Sequence, residues 1–237
     1  GFMIGTGGSA LVSYTLGTGD KEKANRYFSM LVYFTILAGI LLTVLGIIFV
    51  RPIAELFGAD ESMMDTCVLY GRIVIAFNAA FMLQNIFQSF FVVAEKPRLG
   101  LIVTIAAGVT NMVLDALFVG VFKWGTVGAA LATGISQSIG GLLPLLYFAL
   151  PNNSPLQLTR TGFELAPLLK ASSNGCSELM SNVASSLIGI VYNYQLMRLG
   201  GENAVATYGV LMYIQFVFIA IFIGYSVGSA PIIGYHY

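Results

Sequence analysis

The chain has 237 residues, 57% of them hydrophobic and only 9% charged, with a formal net charge of zero and a mean hydropathy of +0.84. Soluble domains carry about 25% charged residues, so this composition excludes a soluble globular domain and places the chain in a membrane. The neutral balance offers no basic surface for nucleic acid.

Seven apolar segments follow in order, at roughly 1–16, 27–50, 66–94, 99–122, 125–150, 174–197 and 204–235. They are measured against the ~20 residues that a helix needs to cross a bilayer, and helices are expected because they satisfy their own backbone in lipid. Both ends of the chain lie inside apolar runs, so further sequence is expected on either side. In the first segment Gly5-Thr6-Gly7-Gly8-Ser9-Ala10 matches a dinucleotide-binding pattern, but no strand precedes it. Small residues for close helix packing explain it better. Ser62-Met63-Met64-Asp65 reads as a cap for the third segment. Cys67 and Cys176 sit in or at the edge of apolar runs and are expected as buried reduced thiols.

The link 151–173 is the long one. Pro151, Asn152-Asn153 and Pro155 break the chain, and Thr161-Gly162-Phe163-Glu164 fits a capping box that starts a short surface helix. The expected division is a bundle over 1–150, a cytoplasmic link over 151–173, and the start of a second bundle over 174–237. Lys21, Lys23, Arg26, Lys96, Arg98, Arg160 and Lys170 fall on one parity of links, against Arg51, Arg72, Lys123 and Arg198 on the other. The excess places the 17–26, 95–98 and 151–173 links in the cytoplasm. That location also disposes of the glycosylation sequon Asn152-Asn153-Ser154. No G-x-x-x-x-G-K-[ST] occurs, so ATP hydrolysis by this chain is not expected.

Polar residues form stripes on several spans. Asn78, Asn85 and Gln88 lie close to one face of the third, with Tyr70 toward its outer end. Thr104, Gly108, Asn111 and Asp115 follow steps of four, three and four along the fourth. Thr126, Ala130, Thr133, Gln137 and Gly140 do so on the fifth, and Asn174, Glu178, Asn182 and Ser185 on the sixth. Interhelical glue, worth roughly 0.6–2 kcal/mol per contact, is the ordinary reading for the amides and hydroxyls. The carboxylates differ, because a charge at the bilayer centre costs at least ~2.5–3.5 kcal/mol. Neither Asp115 nor Glu178 has a Lys or Arg partner in its own span at a similar depth. A carboxylate that alternates between wet and dry surroundings can take and lose a proton, and, ionised among amide oxygens, it can hold Na⁺. Asp115 lies in the outer half of its span and Glu178 near the cytoplasmic start of its own. They read as one ionisable site in each of two bundles. Gly8-Ser9-Ala10 recurs as Gly228-Ser229-Ala230, a weak echo of the duplicated halves found in secondary transporters.

Four stretches together resemble the multidrug and toxic compound extrusion (MATE) family of transporters. They are Gly8-Ser9-Ala10 through Gly17-Thr18-Gly19-Asp20 with Ala24; Ala94-Glu95-Lys96-Pro97-Arg98; Asn111 with Asp115; and Gly125-Thr126-Val127-Gly128-Ala129-Ala130-Leu131-Ala132-Thr133. The resemblance implies an all-α fold, a polytopic transmembrane helix bundle with the two-lobed MATE-like architecture, truncated to about helices two to eight. It also implies that Asn111 and Asp115 serve ion or proton coupling together with an aspartate of the family's first helix. By the same likeness Tyr70, Asn85, Gln88 and Thr133 line the substrate cavity, and Glu178 matches a glutamate that Na⁺-coupled members use in the second lobe, with Asn182 beside it.

The expected function is therefore secondary active efflux of organic, often cationic, compounds by proton or sodium antiport with alternating access. No cofactor is expected beyond the coupling ion, H⁺ or Na⁺, and no metal beyond Na⁺ at Asp115 or Glu178. The expected setting is a bacterial plasma membrane, with a monomeric full-length protein, drug-like substrates and no enzymatic activity. A lipid-linked oligosaccharide flippase of the same superfamily would call for several cavity-facing cations, which the spans lack. An intramembrane enzyme such as a prenyl transferase would call for an Asp-rich or His-based metal site, and the one histidine is His236.

Overall fold

A computed structural model describes residues 1–56 and 61–236, with side chains described except at 56, 61–63, 202 and 223–236. Every regular element among the described residues is a helix. In order they are α1 (Phe2–Gly17), α2 (Lys21–Leu56), α3 (Glu61–Ala76), α4 (Asn78–Val93), α5 (Pro97–Asp115), a π-helical turn (Ala116–Val121), α6 (Gly125–Ala149), α7 (Leu165–Asn174) and α8 (Cys176–His236). Four of them are long and apolar enough to cross a membrane, or five if the bent pair α3–α4 counts as one span. The chain divides into two compact units, Gly1–Leu179 and Met180–Tyr237.

The turns follow local chemistry. Gly19 takes a φ of +88° between α1 and α2, and Asp20 caps α2 by accepting a hydrogen bond from the Lys23 N–H at 3.0 Å. Pro97 opens α5, where a missing N–H costs nothing. Glu95 just before it holds a φ of +57°. The core of the first unit is aromatic. Phe28 of α2 meets Phe90 of α4 at 4.8 Å and Phe148 of α6 at 5.1 Å between ring centroids, and Phe87 stacks on Phe148 at 5.6 Å. All four are fully buried, and Leu156 and Leu168 close the cluster. Edge-to-face and offset pairs of this kind contribute about 0.5–1.5 kcal/mol each beyond area burial.

The small-residue reading of the first segment is borne out. Gly7 and Gly175 let α1 and α7 meet backbone to backbone: a Cβ on Gly7 would overlap the Ala171 carbonyl, and one on Gly175 the Met3 carbonyl.

Several expectations need correction. The third segment is two helices, bent by 44° at Phe77. No helix-breaking residue marks the site; the Phe77 ring sits where Gly134 of α6 leaves room for it. The capping box at 161–164 does not form. The Thr161 hydroxyl donates to the Gly162 carbonyl at 3.2 Å, the Glu164 carboxylate lies 3.9 Å from Arg26, and α7 begins at Leu165 without a side-chain cap. The stripe Asn174–Ser185 does not lie on one helix, because Asn174 ends α7 and Gly175 separates it from α8. Segments six and seven run within α8, interrupted at Gly201 (φ 64°, ψ −160°). Tyr192 and Tyr208 stack across that break at 5.6 Å. Cys67 is half-buried and Cys176 exposed, so neither is the buried thiol expected. The Ser62 cap, the Gly228-Ser229-Ala230 side chains and the His236 side chain lie outside the described residues.

The link after α6 is an extended strap laid along α2. The Gln157 N–H donates to Asn25 Oδ1 at 2.8 Å and the Thr159 N–H to Ser29 Oγ at 2.8 Å. Between them the Leu158 N–H donates to the Phe148 carbonyl at 2.8 Å, one of the acceptors that the end of α6 leaves open. Asn25 and Ser29 are four residues apart on α2, which puts both on one face. Alternate residues of the extended strap meet them there.

Candidate functional site

α4, α5 and α6 pack against one another, and the carboxylate singled out in the sequence lies at the end of α5. Asp115 is half-buried. Its Oδ1 is buried and has no hydrogen-bond partner. No Lys or Arg forms an ion pair with it among the described residues. Asn111, one turn earlier, is half-buried as well. Thr104 and Gly108 on the same stripe are exposed, and nothing lies within 4 Å of where a Gly108 side chain would stand. The residue of α5 that is buried is Ala107. The stripe thus borders the packed interior instead of filling it, and Asp115 holds a carboxyl oxygen without a donor at that border.

Asp115 is also where the helix changes form. From Ala116 to Val121 the backbone is π-helical, and the Phe122 N–H reaches back to the Leu117 carbonyl at 2.9 Å. Such turns are rare and gather at functional sites. Phe118, Phe122 and Trp124 cluster just beyond it, with Phe118 and Trp124 stacked at 5.0 Å, and Phe118 packs on Gly128 of α6.

The other expected residues fall in different places. Asn85 is 7% exposed and spends its amide on the Phe81 carbonyl at 2.8 Å; it faces α1, where Gly1 and Gly5 pack on it. Gln88 is exposed, Tyr70 is 44% exposed and Thr133 is half-buried. Among the described residues no hydrogen bond links any of these to Asn111 or Asp115. Glu178 stands in the first turn of α8, where the helix dipole favours a carboxylate, and it belongs to the first unit, whereas Asn182 belongs to the second.

Sequence reasoning missed Gln84. Its Oε1 is buried without a partner, and its side chain packs against Gly140 of α6, where an added Cβ would stand 2.7 Å from Cδ. The signal was present, because Gly140 was already on the α6 stripe, but helical periodicity alone favoured the adjacent Asn85. Among the described residues no three His, Cys, Asp or Glu side chains cluster. A cation at Asp115 would rest on one carboxylate and neutral oxygens.

The fold defined by these helices is an all-helical bundle that solved transporter structures share. It matches an inward-facing MATE transporter of the MOP superfamily with a TM-score of 0.83, at 20% identity, over 92% of this chain and 50% of that one. It matches the outward-facing form with the same TM-score of 0.83, over 94% and 50%. A MOP superfamily transporter from Pyrococcus furiosus matches at 0.80, with 20% identity over 90% and 48%.

The MatE family profile matches residues 1–117 of this chain, and the relatives extend the likeness along the whole chain. Multidrug export protein MepA of Staphylococcus haemolyticus (strain JCSC1435) is 26% identical over 239 residues, covering 100% of this chain and 52% of its own length. Probable multidrug resistance protein YoeA of Bacillus subtilis (strain 168) is 29% identical over 251 residues, covering 98% and 52%. The chain spans about half the length of the relatives it matches.

Proposed function

We propose that the protein to which this chain contributes exports small organic compounds, often cationic, from a bacterial cell by antiport against H⁺ or Na⁺. The observation that carries this reading is the buried, unpartnered Oδ1 of Asp115, beside Asn111 and directly before the π turn. A carboxyl oxygen held out of water with no protein donor calls for a partner from outside the chain, a proton or a cation. Exchange between them as the site opens to either side supplies the coupling. The ion moves the alternating-access equilibrium only by its differential affinity for the two states.

Residues 1–150 form the first lobe in this reading, 151–173 the link, and 174–237 the start of the second lobe. Tyr70, Gln88 and Thr133 face the transported compound, with Asn85 holding α4 against α1. Glu178 and Asn182 are the second lobe's polar positions. The full-length protein acts as a monomer and needs no cofactor beyond the coupling ion. Its chemistry is transport, not catalysis.

The test is efflux of a fluorescent cationic dye from vesicles holding the full-length protein, with a pH gradient and a Na⁺ gradient imposed separately. Asp115→Asn is expected to abolish gradient-driven efflux while membrane insertion persists. Efflux at the wild-type rate from that variant sinks the assignment.

A further inference from the structure

A cleft of about 800 Å³ opens where the turn before α5 meets the end of α6, away from Asp115 at the other end of α5. Its polar side is made by Lys96, Arg98, Asn152 and Asn153, and its apolar side by Tyr147, Ile102 and Leu150. Arg98, Ile102 and Leu150 are exposed, and Lys96 and Tyr147 are half-buried. Neither Lys96 nor Arg98 is ion-paired among the described residues. Glu95 is the one carboxylate in the lining, so the cleft is net cationic. The first turn of α5 adds to that sign. Leu99 and Gly100 turn their N–H groups back to the Lys96 carbonyl, which leaves the Arg98 N–H free at the positive end of the helix.

The cleft sits at the same end of the bundle as Lys21, Lys23 and Arg26, because the strap that leaves it at Asn153 binds α2 at Asn25 and Ser29. This is the end with the Lys and Arg excess, which faces the cytoplasm. Isoleucine and leucine exposed beside a tyrosine mark the depth where acyl chains give way to headgroups. A cation pair just beyond that depth, with the Asn153 amide beside it, matches a phosphodiester attached to an acyl chain.

We propose that this cleft binds the headgroup of an anionic phospholipid from the cytoplasmic leaflet. Lys96, Arg98 and the Arg98 N–H hold the phosphate, Asn153 donates to its polar substituent while Asn152 spends its own amide on the Tyr147 and Leu150 carbonyls, and Ile102, Leu150 and Tyr147 contact the upper acyl chains. Basic pockets between spanning helices on this side hold such headgroups in other proteins.

The full-length protein is extracted from vesicles of equal phosphatidylcholine and phosphatidylglycerol, and the lipid retained through detergent is measured by native mass spectrometry. Wild type is expected to keep phosphatidylglycerol in preference to phosphatidylcholine. K96Q/R98Q loses that preference by about 30-fold, as two cations worth about 1 kcal/mol each imply. The charge-preserving K96R/R98K keeps it, which separates charge from folding. K21Q/K23Q removes the same charge from the same end outside the cleft and leaves retention unchanged. Equal loss in both Gln pairs, or no loss in K96Q/R98Q, overturns the proposal. Displacement by inorganic phosphate at the lipid's own concentration makes this a free-anion site and overturns it as well.

Discussion

The Phe77 ring occupies the space that any side chain at position 134 would need: a Cβ on Gly134 would overlap it. One residue in the gap between α3 and α4 is therefore seated in a notch of α6, and the 44° bend is fixed by packing and not by proline or glycine. Gly134→Ala is expected to lower stability by about 1–3 kcal/mol, the range for overpacking a filled interior. Thermal unfolding in detergent measures it. Phe77→Ala in the same chain recovers part of the loss, since the two sites share one volume. Additive losses would show that the two are not in contact.

Asp115 is expected to cost stability. Its Oδ1 is buried without a donor, and unsatisfied buried polar groups cost about 1–3 kcal/mol, more when charged. Asp115→Leu should therefore unfold at a higher temperature than wild type while efflux is lost. A lower unfolding temperature would make Asp115 a structural residue.

The strap along α2 gives a local prediction. Ser29 is fully buried and accepts the Thr159 N–H. Ser29→Ala leaves that amide without its acceptor at a cost of about 1–3 kcal/mol. Hydrogen exchange at Thr159 is expected to rise well before exchange in the α4 core changes, and trypsin should cut faster after Arg160. Unchanged protection at Thr159 would mean the strap is held by its apolar residues alone.

Close backbone contact at α1 and α7 separates two glycines that look alike in sequence. Gly7→Val forces a side chain into the Ala171 carbonyl, whereas Gly17, with nothing within 4 Å, accepts Ala at about 1 kcal/mol or less. Yield of folded protein from membranes should fall sharply for the first and stay level for the second.

The helices were legible because lipid leaves a polar stretch few options. Their apolar runs and the small residues of α1 follow from burial and length. The breaks were not legible in the same way. Phe77 interrupts a helix for a reason carried by Gly134, nearly 60 positions away in the sequence. Glu164 stands just before α7 with its carboxylate 3.9 Å from Arg26 of α2, and a periodic stripe favours Asn85 over Gln84 because it does not reveal which neighbour a face meets. Tertiary contacts decided each of these, and no local pattern encodes them.

The π turn after Asp115 also sets a phase. Hydrogen bonds spanning five residues wind more slowly than those spanning four. A helical wheel drawn from Thr104 through Asp115 therefore loses its meaning from Ala116 onward. Residues spaced three and four beyond Asp115 do not continue its face, and the aromatic group of Phe118, Phe122 and Trp124 follows a register of its own. Removing a single residue between 116 and 121 would bring the two registers closer to one winding and turn the aromatic cap relative to the carboxylate. Deletion at this point is a rotation of the outer end of the helix about its axis, a change that no substitution can make.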